Sequence, residues 1–188
     1  MKVFIISGPR LSGKTSCCSA LADAAIKRGI GCTGCLELST RGSRGIPWQV
    51  RLEHISSGDI WPAAERPCDR PDIPFRFFDE SFDAIRRETE NLLMESAQNG
   101  KDKRRYLCII DEIGPLEIEK NGGHYSLLMN LLSHPPLACN ALVLTVRPEL
   151  ASKLSDFVQK MHHDAFTFSL EEMEAQPIIS SIMEILDF

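Results

Sequence analysis

A chain of 188 residues is sized for one domain and has no room for two full ones. Its 21 Lys+Arg against 26 Asp+Glu leave a net charge of −5, which excludes a nucleic-acid binder working through bulk positive charge. The 43% hydrophobic and 25% charged fractions are those of a globular domain, and no apolar run reaches the roughly 18 residues of a membrane helix.

The first strand is expected at Val3 to Ser7, a short apolar run ending at Gly8. It is shorter than the apolar core of about 7–15 residues in a secretory leader, so a cytoplasmic location is expected, with no membrane partner. Residues 14 to 28 read as a helix, with Ala20, Leu21, Ala24, Ala25 and Ile26 along one side and Lys27-Arg28 before Gly29 as the stop. A second strand covers Cys32 to Leu38. From Ser39 to Phe78 come five prolines and both tryptophans; an edge hairpin strand at 46–55 is expected inside an otherwise irregular, Pro-rich surface insertion. Helical spacing resumes over 79–98, with Asp79 as the N-cap. Lys101 to Arg105 form a solvated basic connector, and Tyr106 to Ile110 an apolar strand running into Asp111-Glu112. A helix at 124–133, a strand at 140–146, a helix at 149–160 opened by Pro148, a strand around Phe166 and Phe168, and a helix at 177–187 complete the chain. Strands that alternate with helices and are apolar on both faces predict a single α/β domain over 1–188: a three-layer sandwich about a mainly parallel sheet.

Gly8-Pro9-Arg10-Leu11-Ser12-Gly13-Lys14-Thr15 fits the phosphate-loop pattern G-x-x-x-x-G-K-[ST] at every fixed position, between a buried strand and a helix. In such a loop glycines allow successive backbone N–H groups to face one anion, and the helix that follows adds the positive end of its dipole. Gly8 through Ser16 are therefore the candidate nucleotide-binding residues, with Lys14 on the β- and γ-phosphates and Thr15 on Mg2+. Asp111, at the C-terminal end of an apolar strand, is the candidate Walker B carboxylate and second metal-binding residue; Glu112 beside it is the candidate general base. Arg147 follows the strand 140–146 and is expected to approach the γ-phosphate as a third catalytic group.

The run Asp111-Glu112-Ile113-Gly114-Pro115-Leu116-Glu117, with the phosphate loop at the N-terminal end, an Arg- and Gly-rich turn at 40–45 and a segment ending in Ser57-Gly58, resembles the THEP1, or cancer-related nucleoside-triphosphatase, family of P-loop proteins. The resemblance implies a RecA-like fold and Mg2+-dependent hydrolysis of ATP, GTP and other nucleoside triphosphates to diphosphate and phosphate, with broad base tolerance. It carries Lys14, Thr15, Asp111 and Glu112 into those roles and gives Glu117 a supporting one. The chain departs from the family pattern at Arg10-Leu11-Ser12, at Cys35-Leu36 and at Arg44-Gly45-Ile46-Pro47, where specificity contacts would lie.

Two other classes compete with hydrolysis. A nucleotide or nucleoside kinase would use the 39–78 region and its arginines, Arg41, Arg44 and Arg51, to hold an acceptor; a switch or assembly factor would couple slow turnover to a partner. Glu112 beside the metal aspartate favours the hydrolase, expected as a monomer. Seven cysteines suit a reducing compartment without disulfides. Cys32-Thr33-Gly34-Cys35 lacks the four ligands of a zinc site and reads as strand residues beside a turn, and the five histidines show no metal or nucleophile spacing.

Overall fold

The computed structural model describes residues 1–42, 45–67, 70, 72–98 and 105–186; Arg44, Cys68 and most of the basic connector after residue 98 lie outside them. Among the described residues, eight strands form one sheet and six helices cover it. In chain order these are β1 (Lys2–Ser7), α1 (Lys14–Lys27), β2 (Gly31–Arg41), β3 (Pro47–His54), β4 (Ile60–Glu65), β5 (Arg76–Phe77), α2 (Asp79–Gln98), β6 (Tyr106–Ile113), α3 (Pro115–Lys120), α4 (Tyr125–Ser133), β7 (Cys139–Val146), α5 (Pro148–Lys160), β8 (Asp164–Ser169) and α6 (Ala175–Ile185). The sheet order is β5-β4-β3-β2-β6-β7-β1-β8. From β2 to β8 neighbouring strands are parallel, whereas β3, β4 and β5 extend the sheet antiparallel to β2 and to one another. This is the expected three-layer sandwich, and β7 separates the phosphate-loop strand from the strand carrying Asp111.

Side-chain alternation builds the layers. Val3 and Ile5 of β1, with Cys108 and Ile110 of β6, face the core under α2, α4 and α5, packed by Ile85, Leu93, Leu127, Leu131, Leu154 and Val158. Phe4, Ile6, Leu107 and Ile109 face the other core, under α1 and α6, with Cys17, Leu21, Ile178 and Ile182. Strands buried on both faces carry no polar alternation, which is why their sequence reads as continuous apolar runs. No described helix is long and apolar enough to cross a membrane.

Within 39–78, β3 stands where the edge hairpin strand is expected, but the remainder, expected to be irregular, also contributes strand: β2 runs on to Arg41, and β4 and β5 follow β3. Asp79 is the first residue of α2 rather than its cap. The Cys32/Cys35 spacing, three residues on a strand, puts the two thiols on opposite faces of the sheet, Cys32 beneath α1 and Cys35 toward α2. They are not a metal knuckle or a redox pair; all six described cysteines are free and buried. Gly34 between them is required by packing. Its φ is +94°, and a Cβ there would stand 2.0 Å from the Ile109 carbonyl oxygen of the adjoining strand.

Candidate active site

The site lies at the C-terminal edge of the parallel strands, where α/β sheets gather ligands. The phosphate loop closes on itself there. Ser12 N–H donates to Pro9 O (3.2 Å), Gly8 N–H to Val146 O (3.2 Å), and Leu11 and Gly13 take φ of +68° and +91°. A Cβ on Gly8 would meet Ser12 Oγ at 2.4 Å and the Cβ atoms of Ser12 and Leu170 at 3.2 and 3.3 Å, so a side chain at the first motif position would have to displace the Ser12 hydroxyl. Lys14 begins α1 and is buried; its Nζ donates to Gly8 O (2.9 Å) and Pro9 O (3.1 Å) and stands 3.6 Å from Glu112 Oε2.

Strand β6 brings the acidic pair opposite. Asp111 follows Ile109 onto the α1 side of the sheet and is fully buried. Its Oδ1 accepts from Thr145 Oγ1 (2.7 Å), its Oδ2 from Glu37 N–H (3.1 Å), and the Thr15 hydroxyl bonds it as well. Burial pushes the Asp111 carboxyl up, and those three donors oppose the shift. Among the described residues it has no basic partner, and a buried carboxylate in that position suits a cation. Thr15 and Asp111 are thus oxygen donors of the hard kind that Mg2+ selects.

At Glu112 the strand bends. Its φ is +72°, a left-handed conformation costly for a residue with a Cβ, and the β6–β7 register shifts between Ile110 and Ile113. Glu112 N–H donates to Thr145 Oγ1 (2.7 Å), so one buried hydroxyl fixes both members of the acidic pair. The bend turns the Glu112 side chain to the cleft, where Lys14 Nζ approaches one carboxylate oxygen and Arg147 Nε the other (3.3 Å). Glu117 does not face the reacting groups. It is buried, and its carboxylate accepts from Gly114 N–H (2.9 Å) and His124 N–H (3.1 Å), pinning the turn between β6 and α3.

Sequence reasoning missed several residues that the fold brings here. Thr145 sits one residue before the end of β7, and Glu37 lies two residues past the part of β2 that pairs with β6; a polar residue interrupting an apolar run was the signal for both. Glu37 has its carboxyl pushed up to about 8, first by burial and then by the charges of Glu112, Asp111 and Glu117, against the pull of Arg147. His124 lines the cleft beside Phe82, ring centroids 4.8 Å apart, with Nε2 3.5 Å from Cys35 Sγ.

Burial pushes His124 down to about 4, so the folded protein holds it neutral where the unfolded chain, with an ordinary value near 6.5, takes up a proton. That contribution to stability is complete above the unfolded value and is lost as pH falls toward the folded one. Between pH 7 and pH 5 it is expected to remove about 2 kcal/mol of unfolding free energy, read by urea denaturation. In His124→Phe the pH slope should flatten by that amount, and an unchanged slope would refute the assignment.

Arg10, Leu11 and Gly13 to Thr15 of the phosphate loop, with Glu37, Arg41, Glu112 and Arg147, all border one cleft of about 570 Å³, which runs on between β3, β4 and α2, while Asp111 is buried behind it. Ser16, at the first turn of α1, lines its entrance. Arg51 does not line the cleft.

A family model described as NTPase matches residues 3–183. Among solved structures, the solution structure of a human cancer-related nucleoside triphosphatase is similar at a TM-score of 0.64 and 16% identity, covering 99% of this chain and 97% of that one; at such identity the likeness speaks for the fold. No curated protein matches the sequence.

Proposed function

The chain belongs to the NTPase family, hydrolases of nucleoside triphosphates, and from that premise we propose Mg2+-dependent hydrolysis of nucleoside 5′-triphosphates of varied base to diphosphate and phosphate, with Glu112 as general base. The observation that carries this reading is the placement of Glu112. A bent strand holds its carboxylate at the mouth of the phosphate loop, next to the metal aspartate and between Lys14 and Arg147. The same bend returns Ile113 to the core it shares with Ile110, so packing helps to hold the strain, and what the strain delivers is the carboxylate in the cleft.

The loop Gly8 through Ser16 holds the phosphates, chiefly with the backbone N–H groups at its α1 end, Gly13 to Ser16, and the N-terminus of that helix. Lys14 leaves its loop carbonyls for the β- and γ-phosphates, and Glu112, released from Lys14, accepts a proton from the water that attacks the γ-phosphorus. Arg147 turns from Glu112 to the charge developing on the γ-phosphate. Thr15 and Asp111 would hold Mg2+, which when bound neutralises charge on the β- and γ-oxygens.

The test is phosphate release from ATP, GTP, CTP and UTP by the purified protein, with Mg2+ and with EDTA. Release from several triphosphates that EDTA abolishes is expected. Release indifferent to EDTA would refute the metal assignment, and none from any triphosphate would refute the function.

A further inference from the structure

Hydrolysis places only a γ-phosphate and one water beyond Lys14, yet the cleft continues past Glu112. Its volume of about 570 Å³ is within the range of small-molecule sites, roughly 300–1,000 Å³. The direction of the continuation is fixed by the sheet. Lys14, Thr15 and Asp111 take the β- and γ-phosphates and Glu112 stands at the reacting end, so the part bordered by β2, β3 and β4 lies on the far side of the γ-phosphate from the rest of the nucleotide.

Alternation along β2 puts Cys35, Glu37, Ser39 and Arg41 on the α2 side of the sheet, and the antiparallel register sets Leu52 beside Glu37 and Val50 beside Ser39. That wall is aliphatic below and cationic at the rim. Along the sheet toward β5 the lining turns aromatic: Phe75, Phe77 and Phe82 of α2 follow one another at centroid spacings of 6.2 and 6.5 Å, and all three border the cleft. A cleft lined by aliphatic and aromatic side chains together suits a flat ring system.

The polar groups are unused. Arg10 and Arg41 border the cleft, and among the described residues neither contacts a carboxylate; Arg41 donates only to Gly45 O and Ser39 Oγ. Burial first, and then the charges of nearby Arg41, Arg147 and Arg66, ease off the Arg10 proton against the pull of Glu112. At the apolar end, buried His124 has an Nδ1 with no hydrogen-bond partner. Arginines in excess of the one that Glu112 pairs, and a buried polar atom without a partner, both mark a site built for a ligand.

We propose that this half of the cleft is an acceptor subsite for an aromatic phosphate monoester of the nucleoside-monophosphate class, its ring between Leu52 and Phe82 and its phosphate held by Arg10 and Arg41 beside the γ-phosphate. The inference rests on the nucleotide placement given above. An oxygen of the acceptor phosphate attacks the γ-phosphorus, and the bond from that phosphorus to the β,γ-bridging oxygen breaks. The bridging oxygen keeps the electron pair and leaves with the nucleoside diphosphate, while any proton on the attacking oxygen passes to Glu112. One triphosphate and one monophosphate give two diphosphates, with hydrolysis as the outcome when the subsite is empty.

ATP labelled in its γ-phosphate, with Mg2+ and each of AMP, GMP, CMP and UMP, distinguishes the two readings. Label is expected in the β-phosphate of at least one acceptor, and Arg41→Ala should raise the monophosphate concentration for half-maximal transfer at least tenfold. Acceptor-free phosphate release with no labelled diphosphate overturns the subsite and leaves the triphosphatase standing. Transfer without acceptor-free release supports the subsite and overturns hydrolysis; neither product overturns both. Transfer unaltered in Arg41→Ala overturns the placement of the acceptor phosphate.

Discussion

Glu112→Gln is expected to lower turnover of phosphate release by about 10²–10⁴-fold, the usual contribution of a general base, while nucleotide affinity stays within a few-fold. The amide keeps the size of the carboxylate and its contact with Arg147, but it cannot take a proton from water. Lys14 retains its two loop carbonyls, so the phosphate site keeps its shape. A companion variant separates chemistry from strain. Glu112 holds φ at +72°, which a residue with a Cβ adopts at a cost of about 1–2 kcal/mol and glycine at almost none. Glu112→Gly should therefore unfold at a higher urea concentration than the parent although it too has lost turnover. Single-turnover phosphate release and urea denaturation on both variants check the pair. A Glu112→Gln protein within threefold of the parent rate would remove Glu112 from the mechanism.

Much of this site was legible because its chemistry is local in sequence. The phosphate loop follows a buried strand and opens a helix, so four fixed residues and their flanks specify the anion site. The pair Asp111-Glu112 closes an apolar strand and so stands at the ligand edge of the sheet. What sequence reasoning could not place depended on contacts across strands. Thr145 and Glu37 reach Asp111 from β7 and β2, separated from it by 34 and 74 residues, and no spacing rule joins them.

The region after Ser39 was obscured by its prolines, which argue against central strands. Pro47 escapes that rule by standing first in β3, and Pro62 by lying beside an irregularity in the β3–β4 register near the edge of the sheet. Strand β4 also lacks clean alternation, with Ala63 and Ala64 buried in succession. Helix α3 is too short for a periodic signal and is held by the Glu117 carboxylate, a contact seen only once the fold is known.

Thr145→Val is expected to do what a distant supporting residue should. Valine matches threonine in shape, so the packing of β7 between β6 and β1 is kept, but the one hydroxyl serving both acidic residues is gone. Glu112 N–H then has no acceptor and Asp111 loses one of three donors, each loss worth about 1–3 kcal/mol at a buried group, so unfolding free energy should fall by about 2–4 kcal/mol. Turnover should fall by about 10–100-fold, as it does when groups that orient a metal carboxylate are removed. A merely destabilised protein would regain full turnover at low temperature with its Mg2+ requirement unchanged. Here the Mg2+ concentration for half-maximal turnover should rise, because removing a donor that favours the carboxylate pushes Asp111 further up and weakens it as a cation ligand. Thr145→Ser, which keeps the hydroxyl and drops a methyl group, should restore most of the Mg2+ affinity while recovering less of the stability. Wild-type Mg2+ dependence in Thr145→Val would show that Asp111 is positioned without Thr145, by Thr15 and the Glu37 N–H alone.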